Sequence, residues 1–176
     1  EGTRPEIPLG TNAICNGFLL GMYGSSNSAV VAGGTLACNW LDIGRSNQNG
    51  GNGTLTISSG SATVSGTLSI PNQFSSNTDQ ANIGQGQLYL TGGSISANSI
   101  QIGNGQNGAG GGIGSISITG GSLIINGDAR VQSHDDDAAG YISTAALRRV
   151  DLDYGRSNSA KTTLNSTGVF DGVVSS

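Results

Sequence analysis

The 176-residue chain is poor in charge and in basic residues above all. Only 10% of its residues are charged, against about a quarter in an average globular domain, and Lys161 is the single lysine. A net charge of −4 provides no basic face of the kind that nucleic acids require. With one histidine, His134, the chain cannot build a histidine-rich zinc site. We therefore expect no nucleic-acid partner and no cofactor.

Long apolar runs and helical periodicity are also missing. No apolar run approaches the roughly 20 residues that span a bilayer, so we expect no membrane span. Glycine supplies 31 residues, and no window keeps an apolar stripe with a period of 3.6 residues, so we expect no long helix. Regular alternation at low net charge argues against disorder.

What the chain does contain is a repeat. Pairs of small residues lie at Gly33-Gly34, Ser59-Gly60, Gly92-Gly93 and Gly120-Gly121, spaced by 26, 33 and 28 residues. Each pair precedes two short alternating segments, and the second and fourth copies carry one extra residue at the corner between them. A period of this length with two-residue alternation is typical of stacked β-coils.

The repeat predicts an all-β fold, a right-handed parallel β-helix (β-solenoid) of five to six coils with three short strands per coil. The handedness follows from the rule for parallel crossovers. Residues 1–10, with two prolines, are predicted to form an extended N-terminal arm, and residues 11–176 the β-solenoid domain. Residues 152–158 repeat the pattern of residues 41–47 and are assigned to a later coil.

Alternation also predicts which side chains line the core. The inward residues are expected to be Leu55, Ile57, Leu68, Ile70, Leu88, Leu90, Ile95, Ile100, Ile102, Ile116, Ile118 and Leu123. The residues between them are mostly Ser, Thr and Gln, which suits a solvated outer face.

One corner position is predicted to form a ladder of side-chain hydrogen bonds along the axis, since asparagine tolerates the corner and stacked amides can pair. Its members are Asn16, Asn39, Asn98 and Asn126, with Ser65 at the equivalent place in one copy. A row of ligand-binding asparagines is the alternative.

The same alignment stacks Cys15 on Cys38. Neighbouring coils lie about 4.8 Å apart, inside the Cα range of a disulfide, so we predict a Cys15–Cys38 bridge, with two buried free thiols as the alternative. A disulfide implies an extracytoplasmic location, and the start at Glu1 suits a secreted product. We therefore expect an extracellular or cell-surface protein.

Two segments, Gly53–Gly60 and Gly114–Gly121, carry the pattern Gly-x-Leu/Ile-x-Ile-x-x-Gly, and a Leu-x-Ile-Gly or Ile-x-Ile-Gly phrase followed by a Ser/Asn/Gly loop recurs nearby. This pattern resembles the β-helical repeats of secreted bacterial surface proteins, both the autotransporter-associated strand repeats and the exported repeat proteins of the PEP-CTERM type. The resemblance covers roughly residues 28–132 and implies a stalk, adhesin or surface coat.

Parallel β-helices also include polysaccharide lyases, which use clustered carboxylates for Ca²⁺ and a basic residue. The lyase-like candidates are Asp128, Arg130, Arg149, Asp151 and Asp153, with Arg130 aligned beside Asp153. The alternative is a surface ion pair between adjacent coils. Asp135, Asp136 and Asp137 are the metal candidates, although consecutive carboxylates rarely surround a cation, and a solvated loop is the preferred interpretation.

We expect a non-enzymatic structural protein that associates with copies of itself, because a solenoid exposes strand edges at its ends. The alternatives are a carbohydrate-binding or lyase-like module, with Tyr89 as an outward-facing aromatic, and an adhesin stalk fragment. The expected partners are thus the protein itself and, in the alternative, a polysaccharide.

Overall fold

The computed structural model describes residues 6–22, 24–45, 51–73, 84–105, 113–126, 129–131, 139–144, 152–154 and 161–166, and all regular structure in them is β-strand. The strands are β1 (Glu6–Pro8), β2 (Asn12–Leu20), β3 (Ser26–Ile43), β4 (Asn52–Gln73), β5 (Gln85–Leu90), β6 (Ser94–Gly105), β7 (Ile113–Ile118), β8 (Ser122–Ile125), β9 (Ala129–Val131), β10 (Ala139–Thr144), β11 (Leu152–Tyr154) and β12 (Lys161–Ser166).

All the pairings are parallel, and the strands stack in three columns. The first column runs through β1, the beginnings of β3 and β4, then β5, β7, β10 and β12. The second contains the first half of β2, the middles of β3 and β4, the first half of β6, and β8. The third contains the remaining parts of these strands, with β9 and β11. The prediction of a parallel all-β solenoid of stacked coils is confirmed.

The turns between the first and second columns depend on the predicted small-residue pairs. One glycine of each pair has a positive φ, between +70° and +96°, which only glycine adopts without strain. At Gly60 a Cβ would also lie 2.2 Å from the carbonyl oxygen of Gly34 in the preceding coil. The repeat of glycine therefore fixes where each coil bends.

The core is a continuous stack of aliphatic side chains enclosed by the three columns of strands. Leu55, Leu88 and Ile116 are consecutive register partners in the first column. All twelve residues predicted to face inward are at most 5% exposed, so this prediction is confirmed. Burial of apolar surface on this scale is the main stabilising term of such a fold.

The predicted arm contributes to the solenoid. Glu6, Ile7 and Pro8 pair in parallel with Val30, Val31 and Ala32, and Ile7 is buried. The domain boundary at residue 10 stays a prediction, but part of the arm already forms the first strand of the first column.

The alignment of the distant copy is confirmed. Leu152 is the partner of Ala129, which pairs with Ile100. Ile100 in turn pairs with Leu68, the partner of Leu41. Residues 152–154 therefore extend the third column at the register of residues 41–43.

No helix in the described ranges is long and apolar enough to cross a membrane.

Candidate functional site

The N-terminal rung, which consists of β1 and β2, is where the core reaches the surface. Three inward-facing side chains of β2 pack against the core but are only partly buried. Their register partners in β3 are at most 5% exposed. The difference arises because the described chain places no further rung beneath β2. The partly buried side chains and their partners are Ala13 with Leu36, Cys15 with Cys38, and Phe18 with Leu41.

The backbone of β2 is paired along one edge. Among the described strands β2 pairs with β3 alone. The Thr35 amide donates to the Thr11 carbonyl at 2.8 Å, so this carbonyl points toward β3, while the Thr11 amide donates to the Pro8 carbonyl at 3.1 Å in the preceding turn. In a parallel ladder both groups of a residue face the same neighbour and the direction alternates along the strand. The amides and carbonyls of Asn12 and Ile14 therefore point to the open edge.

Two exposed apolar side chains belong to the N-terminal rung and the turn within it. Leu9 and Ile14 are each 84% exposed. Ile14 belongs to an outward row of register partners that continues with Ala37, Thr63 and Ser96, all smaller or more polar. The row then reaches Ile124, which is 49% exposed, so among the described residues it has a large apolar member at each end, with Ile14 at the N-terminal end.

The predicted polar ladder is present over its first three members. Asn39 Nδ2 donates to Asn16 Oδ1 at 2.8 Å, and Ser65 Oγ donates to Asn39 Oδ1 at 2.9 Å. Asn98 and Asn126 follow Ala97 and Ile125, which are register partners, so they continue the same position along the axis.

Every bond of this ladder has its donor on the later coil. The hydroxyl of Thr35 likewise donates to Asn12 Oδ1 in the N-terminal rung. The amide groups of Asn12 and Asn16 therefore retain their N–H donors, which bond to no residue in the described part of the chain. A further rung at this end would therefore extend both the backbone hydrogen bonds of the sheet and the side-chain hydrogen bonds of the ladder.

The predicted Cys15–Cys38 disulfide is wrong. The two cysteines are register partners, as the alignment predicted, but both are free thiols. Side chains of directly paired residues in parallel strands run side by side, so their Cβ atoms stay near the strand spacing of about 4.8 Å. A disulfide needs Cβ atoms about 3.5–4.5 Å apart. The sequence alignment thus predicted the pairing of the two residues correctly, but it did not predict the distance between their Cβ atoms.

The buried thiol of Cys38 is a poor nucleophile. Burial raises the pKa of Cys38 to about 12, and the neighbouring thiol of Cys15 adds to the rise. The thiolate is the nucleophile and the metal ligand, so Cys38 stays protonated at neutral pH. The pair fills the core where it opens at the N-terminal rung.

A buried carboxylate lies on the outer side of the third column. Asp42 is 4% exposed. Asn72 Nδ2 donates to its Oδ2 at 3.1 Å, and the Arg45 guanidinium lies 3.7 Å from the same oxygen. Burial raises the pKa of Asp42, while the bonds from Asn72 and Ser69 and the charge of Arg45 lower it in part. Arg45 also stacks 5.9 Å from the ring of Trp40.

Asp42 is enclosed by side chains that emerge from the ends of two successive coils, and these contacts fix the position of its carboxylate. Sequence reasoning placed Asp42 in the repeat but missed its burial. The available signal was Arg45, three residues further along and of opposite charge.

The lyase-like and metal candidates fall mostly beyond the described residues. Arg130 and Asp153 are register partners in β9 and β11, as the alignment predicted. Asp128, Arg149 and Asp151 lie outside the described residues, as do Asp135, Asp136 and Asp137. Within the described ranges no group of three or more His, Cys, Asp or Glu residues could hold a metal ion.

No protein-family model, curated protein or solved structure matches the chain. The geometry of the described residues is therefore the basis for a functional proposal.

Proposed function

We propose that this is a structural protein whose solenoids stack end to end, head to tail, into an extracellular filament or surface layer. The observation that supports the proposal is the N-terminal rung. It combines an edge whose backbone groups have no partner among the described residues, a partly exposed core and exposed Leu9 and Ile14.

The proposed occupant of this edge is a second copy of the chain. A strand that pairs with this edge must run parallel to β2 and continue its register. Successive coils of this chain pair with one another in the same way, so a second copy supplies a suitable strand. At the other end of the described sheet, β12 pairs with β10 alone. Contact between two different ends does not close into a ring unless the rotation allows it, and otherwise gives a filament.

The finer architecture belongs to the same proposal. We propose a right-handed solenoid of five to six coils that is secreted, as the resemblance to bacterial surface repeats implies. An adhesin stalk would use the same axial continuity, with the next solenoid supplied by the same chain instead of a second copy.

A charge on the open edge tests the proposal. Lysine at an edge strand opposes pairing, so Ile14→Lys is expected to abolish association that the unaltered protein shows with rising concentration. Sedimentation velocity measures the mass distribution, and negative-stain electron microscopy shows whether fibres or sheets form.

The matched control is Thr63→Lys. Thr63 lies in the same outward row as Ile14, but its strand is paired on both edges. This variant is expected to associate like the unaltered protein. If the unaltered protein stays monomeric at millimolar concentration, or if Thr63→Lys disrupts assembly as strongly as Ile14→Lys does, end-to-end stacking is refuted.

A further inference from the structure

A polar groove runs across the first column on its outer side. It encloses about 300 Å³. Two rows of register partners line it, each with one member from β3, one from β4 and one from β5. The first row is Ser26, Asn52 and Gln85, and the second is Ser28, Thr54 and Gln87.

The floor of the groove lies close to the neighbouring backbone. Gly53 forms part of the lining, and a Cβ there would lie 2.4 Å from the Gly44 nitrogen and 2.5 Å from the Leu20 oxygen. Gly86 pairs with Gly53 and would meet the Ile43 oxygen at 2.2 Å. At these two positions there is no room for a side chain between the strands and the ends of the preceding coils, and the groove is lined mainly by the side chains on either side of Gly53.

The chemistry of the lining is amide and hydroxyl, and none of the described residues that form it is charged. Each of these groups both donates and accepts hydrogen bonds. The side chains of Ser28, Thr54 and Gln85 bond to no residue that the structure describes, which leaves their hydrogen-bonding capacity for a ligand. A carboxylate or phosphate ligand would find no cation in such a lining to compensate its desolvation.

An aromatic ring lies beside the groove, two residues after Gln87 in β5, although it does not belong to the lining itself. Tyr89 is 38% exposed, and its hydroxyl donates to Gln87 Oε1 at 3.2 Å. The bond holds the Gln87 carbonyl and turns its amide N–H groups to other partners. The ring adds an apolar face beside the polar rows, and a polar surface with an aromatic edge suits the alternating hydroxyl and C–H faces of a sugar.

We propose that this groove binds a neutral polysaccharide chain that lies along the solenoid axis. The rows repeat once per coil at about 4.8 Å, so successive sugar units meet equivalent polar groups on successive coils. The site does not depend on end-to-end stacking, since it lies on the side of the solenoid.

Affinity electrophoresis tests the proposal. The full chain is run in native gels that contain hydroxyethyl cellulose, a soluble β-1,3-glucan or a soluble mannan, with polygalacturonate as the charged comparison. At least one neutral polymer is expected to retard the protein, and polygalacturonate is not. Thr54→Val, which keeps shape and removes one hydroxyl, is expected to weaken binding about 2- to 10-fold, the value of one hydrogen bond.

The control is Thr63→Val, the same change on the outer face of the second column, which is expected to bind like the unaltered protein. Thermal melts of both variants report whether each one folds. A Gln85→Ala/Gln87→Ala double variant gives a second reading if Thr54→Val does not fold. The site is refuted if no neutral polymer retards the protein, if polygalacturonate retards it more, or if the folded groove variants bind unchanged.

Discussion

The turn at Gly44 provides the sharpest test of how the coils are stacked. Gly44 ends the third column and has φ +85°. A Cβ there would lie 2.1 Å from the carbonyl oxygen of Gln85, in the coil that follows next but one. We predict that Gly44→Ala is strongly destabilising because the added methyl group meets backbone, which cannot rotate away as a side chain can.

The magnitude has two parts. A residue with a Cβ in the left-handed region costs about 1–2 kcal/mol. The steric part is added to this, since the strand that begins at Gln85 must move, and the 2.7 Å bond from the Gly44 amide to the Leu20 carbonyl is strained with it. We expect a loss above about 3 kcal/mol, a large share of the 5–15 kcal/mol that stabilises a typical domain.

Gly10→Ala separates the two parts. Gly10 has φ +79°, close to that of Gly44, but apart from its chain neighbours no atom of the described residues lies within 4 Å of its Cβ position. This variant should lose only the conformational part, about 1–2 kcal/mol. Urea denaturation followed by circular dichroism measures both losses. In thermal melts, Gly44→Ala should lower Tm by at least about 6 °C, since about 1 kcal/mol shifts Tm by roughly 2–4 °C at this chain length.

Equal losses for the two variants would refute the reasoning, because they would mean that Gln85 does not lie against Gly44. A loss below about 1 kcal/mol for Gly44→Ala would refute it as well. Either result would require a different register between the third column and the start of the first.

Two further predictions concern the buried titratable groups. The raised pKa of Asp42 means that its protonated form is favoured in the fold, so its contribution to stability is full below the ordinary pKa of 3.8 and is lost as pH rises through the folded value. Urea midpoints measured from pH 3 upward should therefore decline less in Asp42→Asn than in the unaltered protein, and parallel curves would contradict this. Iodoacetamide at pH 8 should label Cys15 in the native protein and leave Cys38 unmodified, because its pKa is about 12. Mass spectrometry of the peptides reads this out, and equal labelling would contradict it.

Much of the fold follows from the sequence because the pattern is local and repeated. Two-residue alternation identifies Leu55 and Leu88 as inward, and the copies align them as partners. The glycine pairs mark the bends because positive φ excludes most other residues. The extra corner residue is also predicted from the sequence. Ser65 and Gly66 occupy the corner where the next coil has Asn98 alone.

The rest depends on three-dimensional detail that a repeat does not encode. Cys15 and Cys38 align in one dimension, but a disulfide depends on Cβ separation across the strands. Asp42 occupies an outward position, yet Asn72 from the next coil covers it. Gly53 in the groove lies so close to the backbone of the preceding coils that a Cβ does not fit there, which composition alone does not reveal. Ile14 could have been noticed, because its aligned partner is the smaller Ala37.

The matched register of the first column has a consequence for how such a chain changes over generations. Leu55, Leu88 and Ile116 present almost the same surface to the coil above and the coil below, and coils in stacked architectures interact only with their neighbours. Within the first column, a coil that is duplicated or deleted in the gene therefore leaves aliphatic side chains facing one another at the new junction. Molecular length can then change by one coil at a time, in steps as unequal as the 26-, 33- and 28-residue spacings of the repeat.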